Sequence, residues 1–192
     1  MAKTYHHGDL RTSLISHAMN AVASEGLEKV SLRGLASEIG VSPSAVYHHF
    51  ADKRALVDAL CDETAELLAK HMRTALSSVE GSTDETARRR FTVMGETYIA
   101  FAQANRNLFL ATFGSAPRTQ PAEDTSPFNL LLVLLDELES RALLRPGIRE
   151  GLELVVWSMA HGLSMLVIEG HIAEGLISVT LAGFTNLVLV DL

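Results

Sequence analysis

Two helix starts and a helix stop crowd into the stretch between Val30 and Phe50, and they dictate how the first third of this chain can fold. Ser31 stands where a side-chain oxygen can cap the first turn of a helix, and Val30 before it can staple onto Leu35. Leu32, Leu35, Ala36 and Ile39 then recur as one apolar stripe, and Gly40 ends the helix after about two turns. Val41-Ser42-Pro43 repeats the start signal. Ser42 is the cap, Pro43 occupies the first helical position, and Val41 can staple onto Val46. The helix that follows, residues 43–50, is very short. Val46 and Phe50 lie four apart and point inward, which leaves Ser44, Tyr47 and His48 outside. Two such helices joined through Gly40-Val41-Ser42 have helix-turn-helix spacing. Spacing alone fits either DNA binding or plain packing in an all-α domain.

The next segment favours the first reading. A long helix starts near Asp52 with Lys53 and Arg54 in its first turn, where the helix dipole disfavours cations. A fixed anion over that terminus, such as a DNA phosphate, would offset the conflict. The alternative is that both side chains extend into water.

The rest of the chain also reads as helix, with no clean period-2 alternation. Residues 10–25 place Leu10, Leu14, Ala18 and Val22 on one face, and Gly26 is the stop. The long helix, residues 52–79, carries Leu56, Leu60, Leu67, Met72 and Leu76. Glu80-Gly81-Ser82-Thr83 breaks it. Asp84-Glu85 opens another helix with the charge sign the dipole favours, and that helix carries Phe91, Met94, Tyr98 and Phe101. A bend at 103–107 precedes a short apolar segment, 108–113. Residues 114–127 hold three of the five prolines and read as a long loop. A helix over 128–144, a turn at Arg145-Pro146-Gly147 and two last helices, 148–169 and 174–190, complete the chain. The predicted fold is all-α. Residues 1–54 form an N-terminal three-helix helix-turn-helix DNA-binding head with its reading unit at 31–50. Residues 55–192 form a C-terminal helical bundle.

The last two helices are apolar nearly all round, so they need cover on every side. A small bundle supplies one side only, and a second copy of the chain is the expected cover. Gly151, Gly162, Gly170 and Gly183 fit close approach, because glycine inside a helix costs about 1 kcal/mol. A homodimer through these helices would set two reading helices about one turn of DNA apart, as a palindromic operator requires.

Composition bounds the alternatives. A length of 192 residues with 47% hydrophobic content is enough for a sizeable core. A single cysteine, Cys61, excludes a disulfide scaffold and any multi-thiolate metal site; a buried spectator thiol is its default reading, with redox sensing as the alternative. The longest uncharged apolar stretches, 154–168 and 176–190, have 15 residues each, short of the ~20 that cross a bilayer. With no apolar run at the N-terminus, a soluble cytoplasmic protein is expected, without membrane contact. The formal net charge of −7 argues at first against a nucleic-acid partner. Its distribution does not. Residues 1–54 hold six Lys/Arg against five Asp/Glu, and the remainder ten against eighteen, so the segments carry +1 and −8.

Against this background the stretch 31–56 resembles the DNA-binding signature of the TetR family of bacterial transcriptional regulators. The resemblance lies in Gly40-Val41-Ser42-Pro43-Ser44-Ala45-Val46-Tyr47-His48-His49-Phe50, followed by Lys53 and Leu56. Trp157-Ser158-Met159-Ala160-His161-Gly162 resembles a Trp-x-x-x-His-Gly motif of one C-terminal subgroup of that family. The resemblance implies that Pro43, Ser44 and Ala45 open the recognition helix and face base edges in the major groove. It places Tyr47 near a base or phosphate, and His48, His49 and Lys53 on the sugar–phosphate backbone. Arg33 can reach a guanine with bidentate geometry, and Ser31 and Ser42 at the helix starts complete the expected contacts. Ser44 and Ala45 are small, so readout would rest on Arg33, Tyr47 and DNA shape.

The resemblance also implies a small-molecule pocket in the C-terminal bundle. Candidates to line it are Met94, Tyr98, Phe101, Phe109, Phe113, Trp157, His161 and Met165, although an aromatic and methionine stripe at helical spacing would serve equally as core. No cluster of charges interrupts the stripes, which points to a weakly polar effector. No metal site is expected, because His6-His7 and His48-His49 are adjacent pairs that cannot share an ion as i, i+4 residues can. Arg88-Arg89-Arg90 reads as a solvated face with local ion pairs. An enzyme is disfavoured: there is no phosphate-binding glycine loop, no Gly-x-Ser-x-Gly elbow and no catalytic or cofactor constellation. The expected function is a ligand-responsive repressor. The alternative is a DNA-binding architectural or partner-binding protein of the same fold, without an effector.

Overall fold

The computed structural model describes residues 7–113 and 126–191. Among these residues nine α-helices follow one another: α1 (His7–Glu25), α2 (Leu32–Ile39), α3 (Pro43–His49), α4 (Lys53–Ser77), α5 (Asp84–Ala104), α6 (Arg106–Phe113), α7 (Pro127–Ser140), α8 (Leu152–Ile168) and α9 (Ile177–Val188). Residues 114–125 of the expected long loop lie outside the described residues.

The start and stop signals act through the atoms that their positions imply. Ser31 Oγ accepts a hydrogen bond from Gly34 N–H at 3.0 Å, and Ser42 Oγ accepts one from Ala45 N–H at 3.2 Å. Gly40 sits at φ 76°, in the left-handed region where a side chain is strained. Val41 N–H then donates to Ala36 O at 2.9 Å. This reversed bond satisfies the last carbonyls of α2 and redirects the chain into α3.

The helices form two compact units. The first comprises residues up to Ala65, with the α6 segment from Asn105 onward. Its core takes Leu10, Leu14, Ala18 and Val22 from α1, Leu32, Leu35 and Ala36 from α2, and Val46 with Phe50 from the α3 region. Leu56, Ala59 and Leu60 from α4 and Leu108 and Ala111 from α6 close it. Asn107 Nδ2 donates to Ala23 O at 2.9 Å, which fixes α6 against α1. The Arg11 guanidinium lies 5.4 Å over the Phe50 ring, a cation–π contact from α1 to the end of α3. Cys61 is buried, its thiol directed at the Thr112 carbonyl 3.8 Å away.

The second unit comprises Glu66–Ala104 and the described residues from 126 onward. Here α5 is the central helix, packed against α7, α8 and α9. Gly95 allows the closest approach, since a Cβ there would stand 3.1 Å from a Leu181 methyl. Of the three arginines expected on a solvated face with local ion pairs, Arg89 fits that reading, whereas Arg88 and Arg90 also serve the packing. Arg88 donates to Val190 O and Arg90 to Val79 O and Gly81 O, while Arg89 forms a surface ion pair with Glu96.

Three boundaries differ from the sequence reading. α7 ends at Ser140 rather than near Leu144, because Ala142 turns left-handed at φ 55°. Leu143 and Leu144 are buried there in an extended conformation, and their backbone polar groups need partners. The C-terminal segment supplies them: Val190 N–H donates to Leu143 O and Arg145 N–H to Val188 O, both at 2.9 Å. α8 starts at Leu152 rather than Ile148, since Gly151 adopts φ 72° before it. A 3-10 turn at Glu174–Leu176 precedes α9, which therefore starts at Ile177.

The glycines of the last helices divide into two kinds. Gly151 and Gly170 have positive φ and answer a backbone requirement, not a close approach. Gly162 and Gly183 lack positive φ, and a Cβ at either would meet nothing within 4 Å.

Alanine at Gly40 must adopt the left-handed conformation at a cost of about 1–2 kcal/mol. Gly40→Ala is therefore expected to lower the unfolding free energy of the full chain by that amount, read as a fall in the urea midpoint, and an unchanged midpoint would contradict the assigned turn.

Candidate nucleic-acid interface and ligand cavity

The first unit presents the outer face of its short helices to solvent. Val46 and Phe50 are buried, whereas Ser42, Pro43, Ser44 and His48 are exposed and Tyr47 retains 44% of its surface. Ala45 and His49 are half-buried, and the His48 and His49 rings meet edge to face at 5.7 Å. Both serine caps keep a hydroxyl proton to donate after accepting their backbone bond.

Four of the residues expected to touch DNA converge on one open hollow of about 390 Å³: Ser31, Arg33, Tyr47 and Lys53. Leu32, Ala51 and Asp52 complete its lining. Ser42, Pro43, Ser44, Ala45, His48 and His49 lie outside it, along and beside α3. Asp52 is the residue that sequence reasoning passed over. Its signal was available, because an aspartate directly before a helix is a cap, and Asp52 Oδ1 accepts from Ala55 N–H at 2.8 Å.

The cap changes the reading of the two cations beside it. Asp52 supplies the negative charge that the start of α4 favours. Lys53 Nζ donates to the Leu27 carbonyl at 2.9 Å, and Arg54 Nε to Asp58 Oδ1 at 2.9 Å. The conflict with the helix dipole is thus answered within the chain. A phosphate is not needed to resolve it, although the Lys53 ammonium retains two of its three donors.

The second unit encloses a cavity of about 30 Å³. That is room for one or two waters, far below the ~300–1,000 Å³ of a ligand-filled site. α5 contributes Phe91, Thr92, Met94, Gly95 and Tyr98; α8 contributes Val156, Trp157, Met159 and Ala160. Met72 of α4 also lines it, as do Pro127 and Leu131 of α7 and Leu181, Phe184 and Thr185 of α9. Among the described residues no charged side chain stands on the wall.

Of the eight residues proposed to line a pocket, Met94, Tyr98 and Trp157 stand on this wall. His161 lies behind it, its Nδ1 3.3 Å from the Tyr98 hydroxyl. Phe101 is buried with its ring edge-on to His71 at 5.5 Å. Phe109 and Phe113 belong to the first unit, their rings 4.7 Å apart on α6. Met165 is half-buried on α8 away from the cavity. Helix geometry explains that last placement, since steps of four residues drift by about 40° each and eight residues carry a side chain about 80° off the face. The wall residues missed from sequence include Phe91 and Phe184, stacked 6.4 Å apart. Phe91 was legible as the start of the Met94–Tyr98 stripe, but Phe184 had no local signal.

Tyr98 is the largest fully buried side chain, and burial pushes its phenol well above the usual range. Burial lowers the His161 imidazole below its ordinary 6.5. The folded protein therefore gives up the His161 proton more readily than the unfolded chain. Above 6.5 the imidazole is neutral in both states; as pH falls below that value the unfolded chain binds the proton first and stability drops. Urea midpoints are expected to fall with acidification below 6.5, and His161→Gln to flatten that dependence. Equal slopes for both proteins would contradict the burial of the ring.

Comparison with known proteins places these two units. Residues 14–60 match the model of bacterial regulatory proteins of the tetR family, and residues 91–189 match the tetracyclin repressor-like C-terminal domain. An HTH-type transcriptional regulator of Haemophilus influenzae is 26% identical over 129 residues, which cover 67% of this chain and 60% of the relative. The nucleoid occlusion factor SlmA of Marinobacter nauticus is 27% identical over 141 residues, 73% of this chain and 67% of that protein. A solved protein of unknown function from Rhodococcus sp. RHA1 superposes with TM-score 0.78 at 27% identity, over 96% of both chains. Among the described residues no helix is long and apolar enough to cross a membrane. With its reading head and more than half its length matched, the chain belongs to the TetR family of bacterial transcriptional regulators, which are DNA-binding proteins and not enzymes.

Proposed function

We propose that this regulator is a homodimeric, ligand-responsive repressor, released from a palindromic operator when a small, weakly polar molecule enters the cavity of its second unit. Residues 1–54 act as the DNA-binding domain and 55–192 as the effector and dimerisation domain, working in the cytoplasm beside the chromosome. The observation that carries the reading is Met72. It stands on the cavity wall and belongs to α4, whose first turn carries Lys53. A ligand that displaces Met72 acts on the same helix that borders the DNA-reading hollow. A coupling of ~1–3 kcal/mol transmitted this way changes operator affinity roughly 5–150-fold.

On DNA, Pro43, Ser44 and Ala45 lie at the start of the reading helix and face base edges, with Tyr47 beside them. Arg33 takes a guanine, and Ser31, Ser42, His48, His49 and Lys53 take the backbone. Exposed apolar side chains support the dimer. Leu154 and Leu166 on α8 are 61% and 41% exposed, and Val179 and Leu187 on α9 are 66% and 72% exposed. On α8, Leu154, Ser158, Gly162 and Leu166 recur every four residues and all stand exposed to solvent. Such a row invites a second copy.

The constitutive alternative, DNA binding without an effector, draws support from the small volume of the cavity and from the similarity to a nucleoid occlusion factor. Footprinting on the protein's own upstream DNA, followed by a screen for compounds that release it, separates the two readings.

Lys53→Ala is expected to weaken operator binding and reduce its salt slope by about one. Tyr47→Ala should weaken binding without affecting assembly. Unchanged gel-shift affinity in both variants would remove these residues from the interface. In sedimentation, the wild-type chain should be a dimer at micromolar concentration, and Gly162→Leu a folded monomer. A monomeric wild type, or a dimeric Gly162→Leu, would contradict the role of this face.

A further inference from the structure

We infer that the cavity of the second unit takes an uncharged aromatic molecule, an assignment that rests on reading this cavity as the ligand site. The first ground is charge. Among the described residues no Asp, Glu, Lys, Arg or His stands on the wall, and the polar side chains there are Thr92, Thr185, Tyr98 and Trp157. The nearest titratable ring, His161, has its Nδ1 directed to the Tyr98 hydroxyl, and burial favours its neutral form. An ionised carboxylate or ammonium would be stripped of water with no opposite charge to meet it.

The second ground is the chemistry of the wall. Tyr98 and Trp157 meet edge to face at 5.3 Å with planes 72° apart, and Phe128 meets the same indole at 5.6 Å and 73°. The wall thus already uses the perpendicular ring contacts that a further aromatic ring would extend.

The third ground is how room is made. The void of about 30 Å³ cannot hold a ring, so some wall must move. Met72, Met94 and Met159 come from three different helices, α4, α5 and α8. Thioethers change rotamer at low cost and make favourable contacts with ring edges. A flat body can enter between them, whereas a saturated ring of the same carbon skeleton is thicker and offers no ring edge.

The test uses the full-length protein labelled with 15N. Trp157 is the only tryptophan, so its indole N–H gives a single resonance at the cavity. Four probes of one skeleton are titrated: 2-naphthol, 2-naphthoate, 2-naphthylmethylammonium and decahydro-2-naphthol. The neutral 2-naphthol should shift the indole resonance saturably. Both ions should bind at least about 100-fold more weakly, and the saturated alcohol should also bind more weakly. Met159→Lys places a cation on a half-buried wall position and should move the preference toward 2-naphthoate; if that variant does not fold, Thr92→Lys on α5 makes the same test. Tighter binding of either ion or of the saturated alcohol overturns the inference, as does an indole resonance that no probe moves. A gel shift on operator DNA tests the other reading separately. If 2-naphthol binds but the DNA is retained, ligand release falls and the ligand class stands. If an ionic probe releases the DNA and 2-naphthol does not, the class falls and ligand release stands.

Discussion

One helix has to serve two cores. α4 contributes Leu56, Ala59 and Leu60 to the first unit and carries Leu68, Ala69 and Met72, all buried, through the second. Its 25 residues run through about seven turns and carry buried apolar side chains in each of the two units. A polar substitution at one of these buried positions disturbs the core to which that residue belongs. Thr64, buried near the middle of the helix, marks where these buried positions pass from one core to the other.

The reading head depends on a smaller set of polar contacts. Ser31, Ser42 and Asp52 each cap a helix, and Gly40 turns the chain between the first two of them. α2 and α3 are too short to persist on propensity alone. Their caps and one buried face hold them, and the outer faces of α2 and α3 are left to solvent. A surface this sparse in charge suits a head whose sequence carries only one excess positive charge.

Local signals were legible in the sequence, and long-range ones were not. The stripe Leu10–Leu14–Ala18–Val22, the two serine caps, the Gly40 stop and the buried row Phe91–Met94–Tyr98–Phe101 all follow from residues within a few turns of one another. The early end of α7 does not. Leu143 and Leu144 continue an apolar pattern, and only pairing with Leu189 at the far end of the chain explains why they leave the helix. The allegiance of α6 was hidden for the same reason. Phe109 and Phe113 look like pocket residues by type, but α6 packs on α1 and takes them into the first unit. On the DNA side, Arg33, Tyr47 and Lys53 could be singled out individually, yet the acid among them, Asp52, emerged only as a cap.

The size of the cavity bears on how such a protein would respond. An apolar wall without a ligand gains by closing on itself, since unfilled space forfeits contacts on every lining atom. On the ligand-responsive reading proposed above, a ligand would have to supply the energy that opens such a wall. What it recovers is the contact of each thioether and ring with its own surface. Because Met72, Met94 and Met159 yield at little cost, most of that energy remains to favour the opened arrangement over the closed one. A wall of rigid β-branched residues would hold a permanent cavity and bind with less rearrangement. The price of that arrangement would be a smaller difference between the two states, and so a weaker switch.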